Sequence, residues 1–326
     1  MTQPWTWHGG GMESAKRRFG DSGRPWLDLS TGINPHPWPG VHALAIDWHR
    51  LPEPEVLAGL EAAAASTFGL HARHVCAVPG TEIGLRLVGR LLGGPARYLA
   101  PGYRTHGEMI EGTEPLGFAA LAQSDGTLIL ANPTNPDGRA IDPALLLTLL
   151  ETRADGAWLV VDEAFADARA EQSLASHIDD DRRLVIFRSF GKFFGLAGVR
   201  LGFVLGPAGM IAALRALLGA WPLSSAAIAI GTAAYRDHDW ISTAQARLLD
   251  DAEALDAMLA SLGHRAVGSC PLFRLIEVER AMSLFEQLAR HSILTRPFTD
   301  QPHWLRIGLP PDAPSLARLR LALADG

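Results

Sequence analysis

A glycine-rich segment that contains one lysine places the strongest constraint on this sequence. It runs from Ser189 to Phe203, with Lys192 near its start and Arg200 near its end. The chain has 29 basic residues, and only Lys16 and Lys192 are lysines. Arginine stays protonated in proteins and cannot form an imine, whereas lysine can lose its proton and react with a carbonyl group. A lysine kept within an apolar, glycine-rich run is therefore a candidate for covalent chemistry.

Length, charge and cysteine content limit the class of protein. The 326 residues suffice for one large and one smaller domain, each with its own core. The net charge of −6 argues against a nucleic-acid partner, and the basic run 16–18 is typical of a solvated helix face. The two cysteines, Cys76 and Cys270, lie far apart, which argues against a disulfide scaffold or a cysteine-based metal site. We predict no metal site.

The apolar segments are too short or too interrupted to enter a membrane. The first 20 residues lack the apolar core of a signal peptide. The most apolar stretch, 220–234, contains Pro and Ser and falls short of a membrane span. We therefore expect a cytoplasmic protein without a membrane partner.

Short apolar runs alternate with helical patterns through the middle of the chain. The helices are predicted at 55–67, 81–92 and 143–152, and the last has Asp142 as its N-cap and Pro143 at its first position. Alternation of this kind predicts an α/β fold with a mostly parallel central sheet. The runs that predict buried strands are 75–78, 96–100, 127–131, 158–161, 184–187 and 201–205.

The pattern changes after residue 206. Helices are predicted at 208–218, 224–236, 240–262, 282–291 and 314–324, and strands at 265–278 and 304–309. We expect a large domain at 41–206, followed by a helical connection and a small α+β domain at 207–326. Residues 1–40, which are rich in Gly, Pro and Trp, are expected to form an arm that joins the small domain.

The glycine-rich segment also carries a family resemblance. Ser189 offers a hydroxyl and Arg200 a planar guanidinium, which together could hold a phosphate beside Lys192. The order Ser-x-x-Lys followed by Gly-x-Arg-x-Gly resembles the fold-type I pyridoxal 5′-phosphate (PLP) enzymes, the class I and II aminotransferase superfamily. The resemblance implies a PLP-dependent transferase-like fold, with PLP held as a Schiff base on Lys192.

Other positions extend the resemblance to the cofactor ring. Asp162, at the end of a predicted strand, corresponds to the carboxylate that keeps the pyridine nitrogen of PLP protonated. Asn135, in the loop Asn132-Pro-Thr-Asn-Pro-Asp-Gly138, corresponds to the residue that bonds the phenolic oxygen. The family usually has Tyr at the position of Phe165, so one bond to that oxygen is absent here.

Two loops complete the predicted cofactor site. Gly80, Thr81 and Glu82 lie between a strand and a helix, where free backbone N–H groups suit a phosphate. The segment 101–106 occupies the place where the family puts an aromatic side chain over the cofactor ring. The aligned residue is His106, with Tyr103 as the alternative.

Two arginines near the C-terminus are candidates for binding the substrate. Arg306 aligns with the family arginine that grips the α-carboxylate, a task that suits a planar guanidinium. Arg296 is a second candidate for an anion, with a structural surface ion pair as the alternative role.

Two segments near the N-terminus carry the more specific resemblance. His8-Gly9-Gly10 and residues 27–37 resemble the opening of the L-threonine-O-3-phosphate decarboxylases, relatives of the histidinol-phosphate aminotransferases. The resemblance implies that Gly32 and Asn34 lie beside the substrate carboxylate, and that His8 lies near the substrate phosphate.

The resemblance implies decarboxylation of L-threonine O-3-phosphate to (R)-1-aminopropan-2-yl phosphate for cobalamin biosynthesis, by a homodimer. Relatives often reach the neighbour's cofactor with a Tyr where this chain has Leu51, so that bond is not expected. An aminotransferase of the histidinol-phosphate type and a non-catalytic PLP-fold protein remain alternatives. A nucleotide-binding enzyme is disfavoured, because the sequence has neither a strand followed by Gly-x-Gly-x-x-Gly nor a Walker-type motif.

Overall fold

The computed structural model describes residue 5, residues 8–20 and residues 23–325, which form two compact units. The first unit contains the described residues up to His36, the segment Pro136–Arg139 and the described residues from Ala244 onward. The second unit contains Pro37–Asn135 and Ala140–Thr243. The domain limits expected from the sequence, at residues 40 and 206, stay a prediction.

The strands of the described chain are short and are numbered here in chain order. They are β1 (Leu27–Asp28), β2 (Val75–Val78), β3 (Ala96–Leu99), β4 (Glu114–Leu116), β5 (Thr127–Ala131), β6 (Leu159–Asp162), β7 (Leu184–Ser189), β8 (Gly202–Leu205), β9 (Ala266–Val267), β10 (Phe273–Glu277), β11 (Ile293–Leu294), β12 (Arg296–Pro297) and β13 (Trp304–Gly308).

The α-helices are numbered in the same way. They are α1 (Met12–Phe19), α2 (Pro54–Phe68), α3 (Thr81–Leu92), α4 (Arg104–Glu108), α5 (Pro143–Glu151), α6 (Phe190–Phe193), α7 (Ala208–Leu218), α8 (Ser225–Arg236), α9 (His238–Ser261), α10 (Ala281–Arg290) and α11 (Ala313–Ala324). Short 3-10 turns occur at Pro39–Ala43, Ala72–His74, Phe118–Gln123, Ala166–Gln172, Ala175–His177 and Ala197–Val199. Within the described ranges, no helix has both the length and the apolar character that crossing a membrane would need.

A seven-stranded sheet is the centre of the second unit, in the order β2-β8-β7-β6-β5-β3-β4. All neighbours from β4 to β7 pair in parallel, and only β8 runs antiparallel to its two neighbours. Every residue of β5 and β6 is buried, as expected for parallel strands covered on both faces. The predicted mostly parallel sheet is confirmed.

Local signals explain where two helices of this unit begin. Asp142 accepts a hydrogen bond from the backbone N–H of Ala144 at 2.9 Å, and Pro143 occupies the first position of α5, as predicted. Gly80 precedes α3 with a φ of 86°. That helix packs against the sheet at Gly84, where an added Cβ would lie 3.0–3.3 Å from side-chain atoms of Val78, Phe187 and Val204.

The first unit contains an antiparallel sheet in the order β12-β13-β10-β9 and the parallel pair β1–β11. The prediction of one strand over 265–278 was wrong, because the chain forms β9 and β10 with a turn between them. Gly268 begins that turn with a φ of 83°, a conformation that ends an extended strand. The bounds of helix α1 were not predicted, but the interpretation of the basic run 16–18 as a solvated helix face is confirmed, because these residues lie on α1 and are exposed.

A buried ion cluster joins the ends of β6 and β7. Arg188 donates to Glu163 at 3.0 Å and forms a second ion pair with Asp167. Ser173 completes the cluster by donating its hydroxyl to Glu163. Burial raises the pKa of Glu163, and the opposing effects of Arg188 and of the hydrogen bonds only partly offset this rise. One guanidinium therefore serves two carboxylates that are both out of contact with water.

The cluster predicts how stability depends on pH. In the folded chain the pKa of Glu163 lies above its ordinary value of 4.5, so folding favours the protonated carboxyl. The stability that this carboxyl contributes is therefore fully present below pH 4.5 and is lost as the pH rises through the folded-state pKa. Relative to the wild type, Glu163→Gln should therefore gain up to about 1.4 kcal/mol of unfolding free energy per pH unit over that window. Urea unfolding at a series of pH values measures the trend.

The control for this series is Glu151→Gln, which removes an exposed carboxylate at the end of α5. Its unfolding free energy should follow the wild type at every pH. Parallel pH trends in wild type and Glu163→Gln would show that the buried carboxyl titrates normally.

Candidate active site

Backbone and side-chain donors form a cradle at the start of α3. A Cβ on Gly80 would lie 2.6 Å from Nη2 of Arg200. A Cβ on Gly202, which pairs with Ser189, would lie 2.8 Å from the backbone nitrogen of Thr81. The structure thus brings the predicted residues Gly80, Thr81, Ser189 and Arg200 together. Helix N–H groups, a hydroxyl and a guanidinium in one place are suited to a phosphate.

Arg200 reaches this cradle through an uncommon backbone conformation. Its φ is 56°, in the left-handed region that non-glycine residues rarely adopt. Strain of this kind costs of order 1–3 kcal/mol and persists where surrounding structure holds it, often at functional sites. The conformation turns the guanidinium back towards Gly80.

Asp162, the last residue of β6, and His106 form a buried pair. Nε2 of His106 lies 2.9 Å from Oδ2 of Asp162, and the backbone N–H of Ala164 donates to Oδ1 at 3.1 Å. His106 is completely buried. The carboxylate is therefore held through both oxygens in one orientation, which suits an acceptor that must meet a ring N–H from a fixed direction.

Lys192 lies in the short helix α6, half-buried, one residue beyond the glycine that follows Phe190. Its Nζ lies 5.3 Å from the centre of the Phe165 ring. The ring face gives a cation a favourable contact but offers no hydroxyl. Phe165, where the family usually has Tyr, thus lies beside Lys192, the candidate for covalent chemistry.

A hydrogen bond between Tyr103 and Glu82 was not predicted from the sequence. Tyr103 and Thr105 donate their hydroxyls to Oε2 of Glu82 at 2.9 and 2.7 Å, and Arg86 donates to Oε1. Burial raises the pKa of Glu82, and these three hydrogen bonds lower it by more, so it lies below its usual range. The Glu82 carboxylate is engaged with the 101–106 segment, which leaves its backbone N–H for the predicted role at the helix start.

Asn135, the remaining predicted cofactor residue, is half-buried within the loop 132–141, which the side chain of Asn132 closes. The Asn132 side chain accepts from the N–H of Ile141 at 2.9 Å and donates to the carbonyl of the same residue at 3.2 Å. All the predicted cofactor residues therefore belong to the second unit.

The predicted substrate residues all belong to the first unit. Arg306 lies on β13 with 2 % of its surface exposed, and Arg296 on β12 is its register partner. Asn34 is buried and accepts a hydrogen bond from the N–H of His36 at 2.9 Å. His8 is exposed, and Gly32 has a φ of 61°.

Sequence reasoning missed two features of the site. It considered His106, with Tyr103 as the alternative, only for stacking on the cofactor ring, and nothing local in the sequence indicates the bond from His106 to Asp162, 56 residues away. It also passed over Glu163 and Arg188, although charged residues directly beside Asp162 and Ser189 were a usable signal of a buried ion pair.

The bond between His106 and Asp162 predicts the outcome of two substitutions. His106→Gln keeps an N–H donor near Nε2, whereas His106→Phe keeps a ring and loses the donor. If His106 contributes to PLP binding mainly through its hydrogen bond to Asp162, His106→Phe should weaken PLP binding about tenfold or more. The PLP affinity of His106→Gln should stay within about threefold of wild type. Titration of PLP followed by visible absorbance measures both. The reverse order would show that ring stacking dominates.

Comparisons with known proteins show the family of the chain. The family model described as "Aminotransferase class I and II" matches residues 118–320. A threonine-phosphate decarboxylase from a Sinorhizobium species is 41% identical, with 97% of both chains covered. One from Pseudomonas aeruginosa is 38% identical, with 97% of this chain and 96% of the relative covered.

Solved structures share the fold. The histidinol-phosphate aminotransferase of Sinorhizobium meliloti in complex with PLP has a TM-score of 0.84 at 22% identity, covering 96% of this chain and 93% of that one. The L-threonine-O-3-phosphate decarboxylase of Porphyromonas gingivalis has a TM-score of 0.79 at 18% identity, covering 91% and 98%. The predicted fold-type I α/β architecture is confirmed, and the chain belongs to the class I and II aminotransferase family.

Proposed function

We propose that this chain binds PLP and decarboxylates L-threonine O-3-phosphate to (R)-1-aminopropan-2-yl phosphate, a step of cobalamin biosynthesis. The observation that carries the proposal is the similarity to two threonine-phosphate decarboxylases over 97% of the chain, at 41% and 38% identity. The described residues include candidates for holding PLP and for binding the substrate carboxylate.

The second unit fits PLP. The cradle at Gly80 and Gly202 has no room for a Cβ and is ringed by donors, which suits the cofactor's phosphate. Asp162, held through both oxygens, suits the pyridine nitrogen, and Lys192 suits the aldehyde carbon. When bound, PLP supplies an electron sink for the electron pair of the bond that breaks at Cα.

The chain's own residues then bind, orient and move protons. Lys192 would hold the cofactor through its side-chain amine, and that amine would also be the candidate proton donor to Cα. Asp162 keeps a proton on the ring nitrogen. Arg306 would bind the α-carboxylate of the substrate through its planar guanidinium and fix the orientation of that group. Binding that is equally strong in the ground state and in the transition state would not speed the reaction. The main contribution of Arg306 is therefore the orientation of the carboxylate.

An aminotransferase of the histidinol-phosphate type is the second candidate. The specific observation in its favour is the TM-score of 0.84 with such an enzyme, together with relatives of that name at about 30% identity over 56% of this chain. Both reactions would use the same cofactor residues. They differ in which bond on Cα is broken.

The test is a product assay with matched lysine variants. Purified protein, PLP and L-threonine O-3-phosphate are incubated, and CO2 and aminopropanol phosphate are measured by mass spectrometry. Lys192→Arg keeps the charge but cannot form an imine, so it should lose at least about a thousandfold in rate. Lys16→Arg, which changes the only other lysine, is exposed on α1 and should match the wild type.

Two results would contradict the proposal. Transfer of the amino group to a keto acid without CO2 release would place the protein with the aminotransferases. A protein that takes up no PLP would favour the non-catalytic alternative. Borohydride reduction adds an independent check, because PLP should then be fixed to the peptide that contains Lys192 and not to the one that contains Lys16.

We further propose that the protein is a cytoplasmic homodimer. An apolar cavity of about 400 Å³ in the second unit is lined by Leu51, Trp221 and their neighbours. Leu51 is 61% exposed and Trp221 is 58% exposed, which is unusual for large apolar side chains grouped around one cavity. A second copy of the chain would cover this surface. The two cysteines are free and buried, which is consistent with a reducing compartment.

Charge substitutions on this surface predict a change in mass. Leu51→Glu combined with Trp221→Glu should shift the protein from dimer to monomer at micromolar concentration, because two charges would have to be buried unpaired. Leu321→Glu on α11 is the control, since Leu321 is 69% exposed and lies in the other unit. Sedimentation velocity gives the masses. A double variant that stays dimeric would remove this surface from the interface.

A further inference from the structure

Ser30 lies where three candidate substrate-binding segments meet in the first unit. The residue is completely buried. Its backbone N–H and its hydroxyl both donate to Oδ1 of Asp28, at 2.9 and 2.6 Å. The hydroxyl also accepts from the backbone N–H of Gly10 at 2.6 Å, so a single side-chain oxygen joins β1 to the His8-Gly9-Gly10 segment.

The same residue holds the arginine that is the candidate for the substrate carboxylate. The carbonyl of Ser30 accepts a hydrogen bond from Nη2 of Arg306 at 2.7 Å. The Cζ of Arg306 lies 4.8 Å from the centre of the Phe273 ring. A carbonyl at one edge and an aromatic ring at the face fix the plane of this guanidinium.

Close backbone contact extends the connection to His8. A Cβ on Gly9 would lie 2.4 Å from the carbonyl oxygen of Ser30 and 2.9 Å from the Cα of Thr31. The His8-Gly9-Gly10 segment therefore lies flat against residues 30 and 31. A shift of the Ser30 peptide would therefore disturb both its contact with Gly9 and its hydrogen bond from Arg306.

We propose that Ser30 is a positioning residue for substrate recognition, which sets Arg306 and the His8-Gly9-Gly10 segment in fixed relation to each other. This inference rests on the proposed function, because a substrate with two anionic groups requires two anchors at a set spacing. Ser30 touches neither group. It acts by holding the residues on either side of it, so its loss should affect substrate affinity and leave PLP binding in the other unit intact.

The test compares two buried hydroxyls of the first unit. Ser30→Ala removes a hydroxyl with two hydrogen bonds. Thr295→Val removes a hydroxyl that is equally buried and has no hydrogen-bond partner among the described residues. Ser30→Ala should raise KM for L-threonine O-3-phosphate by about ten- to a hundredfold and change kcat by less than about threefold. Thr295→Val should change neither.

Substitution of Asp28, which is exposed, tests the same hydrogen bonds of Ser30 from the acceptor side. Asp28→Ala removes the acceptor of both Ser30 donors and should raise KM in the same direction, by about three- to tenfold. Asp28→Asn keeps an acceptor oxygen and should restore most of the affinity. Since Asp28 is exposed, these variants avoid the risk that a change in the core prevents folding.

A binding measurement separates this inference from the proposed reaction. The dissociation constant of L-threonine O-3-phosphate is measured by calorimetry in PLP-loaded Lys192→Arg protein, with and without Ser30→Ala, because this background binds without turnover. A loss of affinity there supports the positioning role even if the wild type shows no decarboxylation, in which case only the proposed function fails. Equal affinities for Ser30→Ala and Thr295→Val would overturn the inference alone. So would a Ser30→Ala protein whose visible absorbance, kcat and KM all change together, since that pattern marks general damage to the fold.

Discussion

The buried guanidinium of Arg188 holds the two strand ends from which the candidate cofactor residues project. It pairs with Glu163, directly after Asp162, and it immediately precedes Ser189 on β7. Because neighbouring residues of an extended strand face opposite sides, the ion cluster lies behind the face that carries Asp162 and Ser189. Through its pairs with Glu163 and Asp167, Arg188 holds in place the backbone that carries Asp162 and Ser189.

The limits of sequence reasoning follow from the kind of interaction involved. Apolar runs, the Asp142 cap and the glycine-rich segment at Lys192 are local signals, and most strands and helices of the second unit could be predicted from them. The bond between His106 and Asp162 joins residues with no local pattern between them. The prediction of a single strand at 265–278 was wrong because it followed the apolar composition of the segment and disregarded Gly268. The positive φ of Gly268 ends β9. Site roles taken from the resemblance remain predictions.

The two units contribute different kinds of information about the reaction. The second unit contains the cradle, Asp162 and Lys192, which would serve decarboxylation and transamination equally. The first unit contains Arg306, Ser30 and the His8-Gly9-Gly10 segment, which would set the orientation of the substrate. If the proposed roles hold, substitutions in the first unit should affect the choice between the two reactions more than substitutions in the second.

The pairing of Ser30 with Arg306 also has a consequence for how the chain is made. The two residues are 276 positions apart, whereas the last residue of the second unit is Thr243. At typical synthesis rates of about 5–20 residues per second, β1 and the buried hydroxyl of Ser30 wait roughly 15–60 seconds for β11 and β13 to emerge from the ribosome. The second unit can fold during that interval. A ribosome that stalls or terminates shortly before residue 293 would therefore release a chain whose N-terminal strand has no partner and is open to association with other chains.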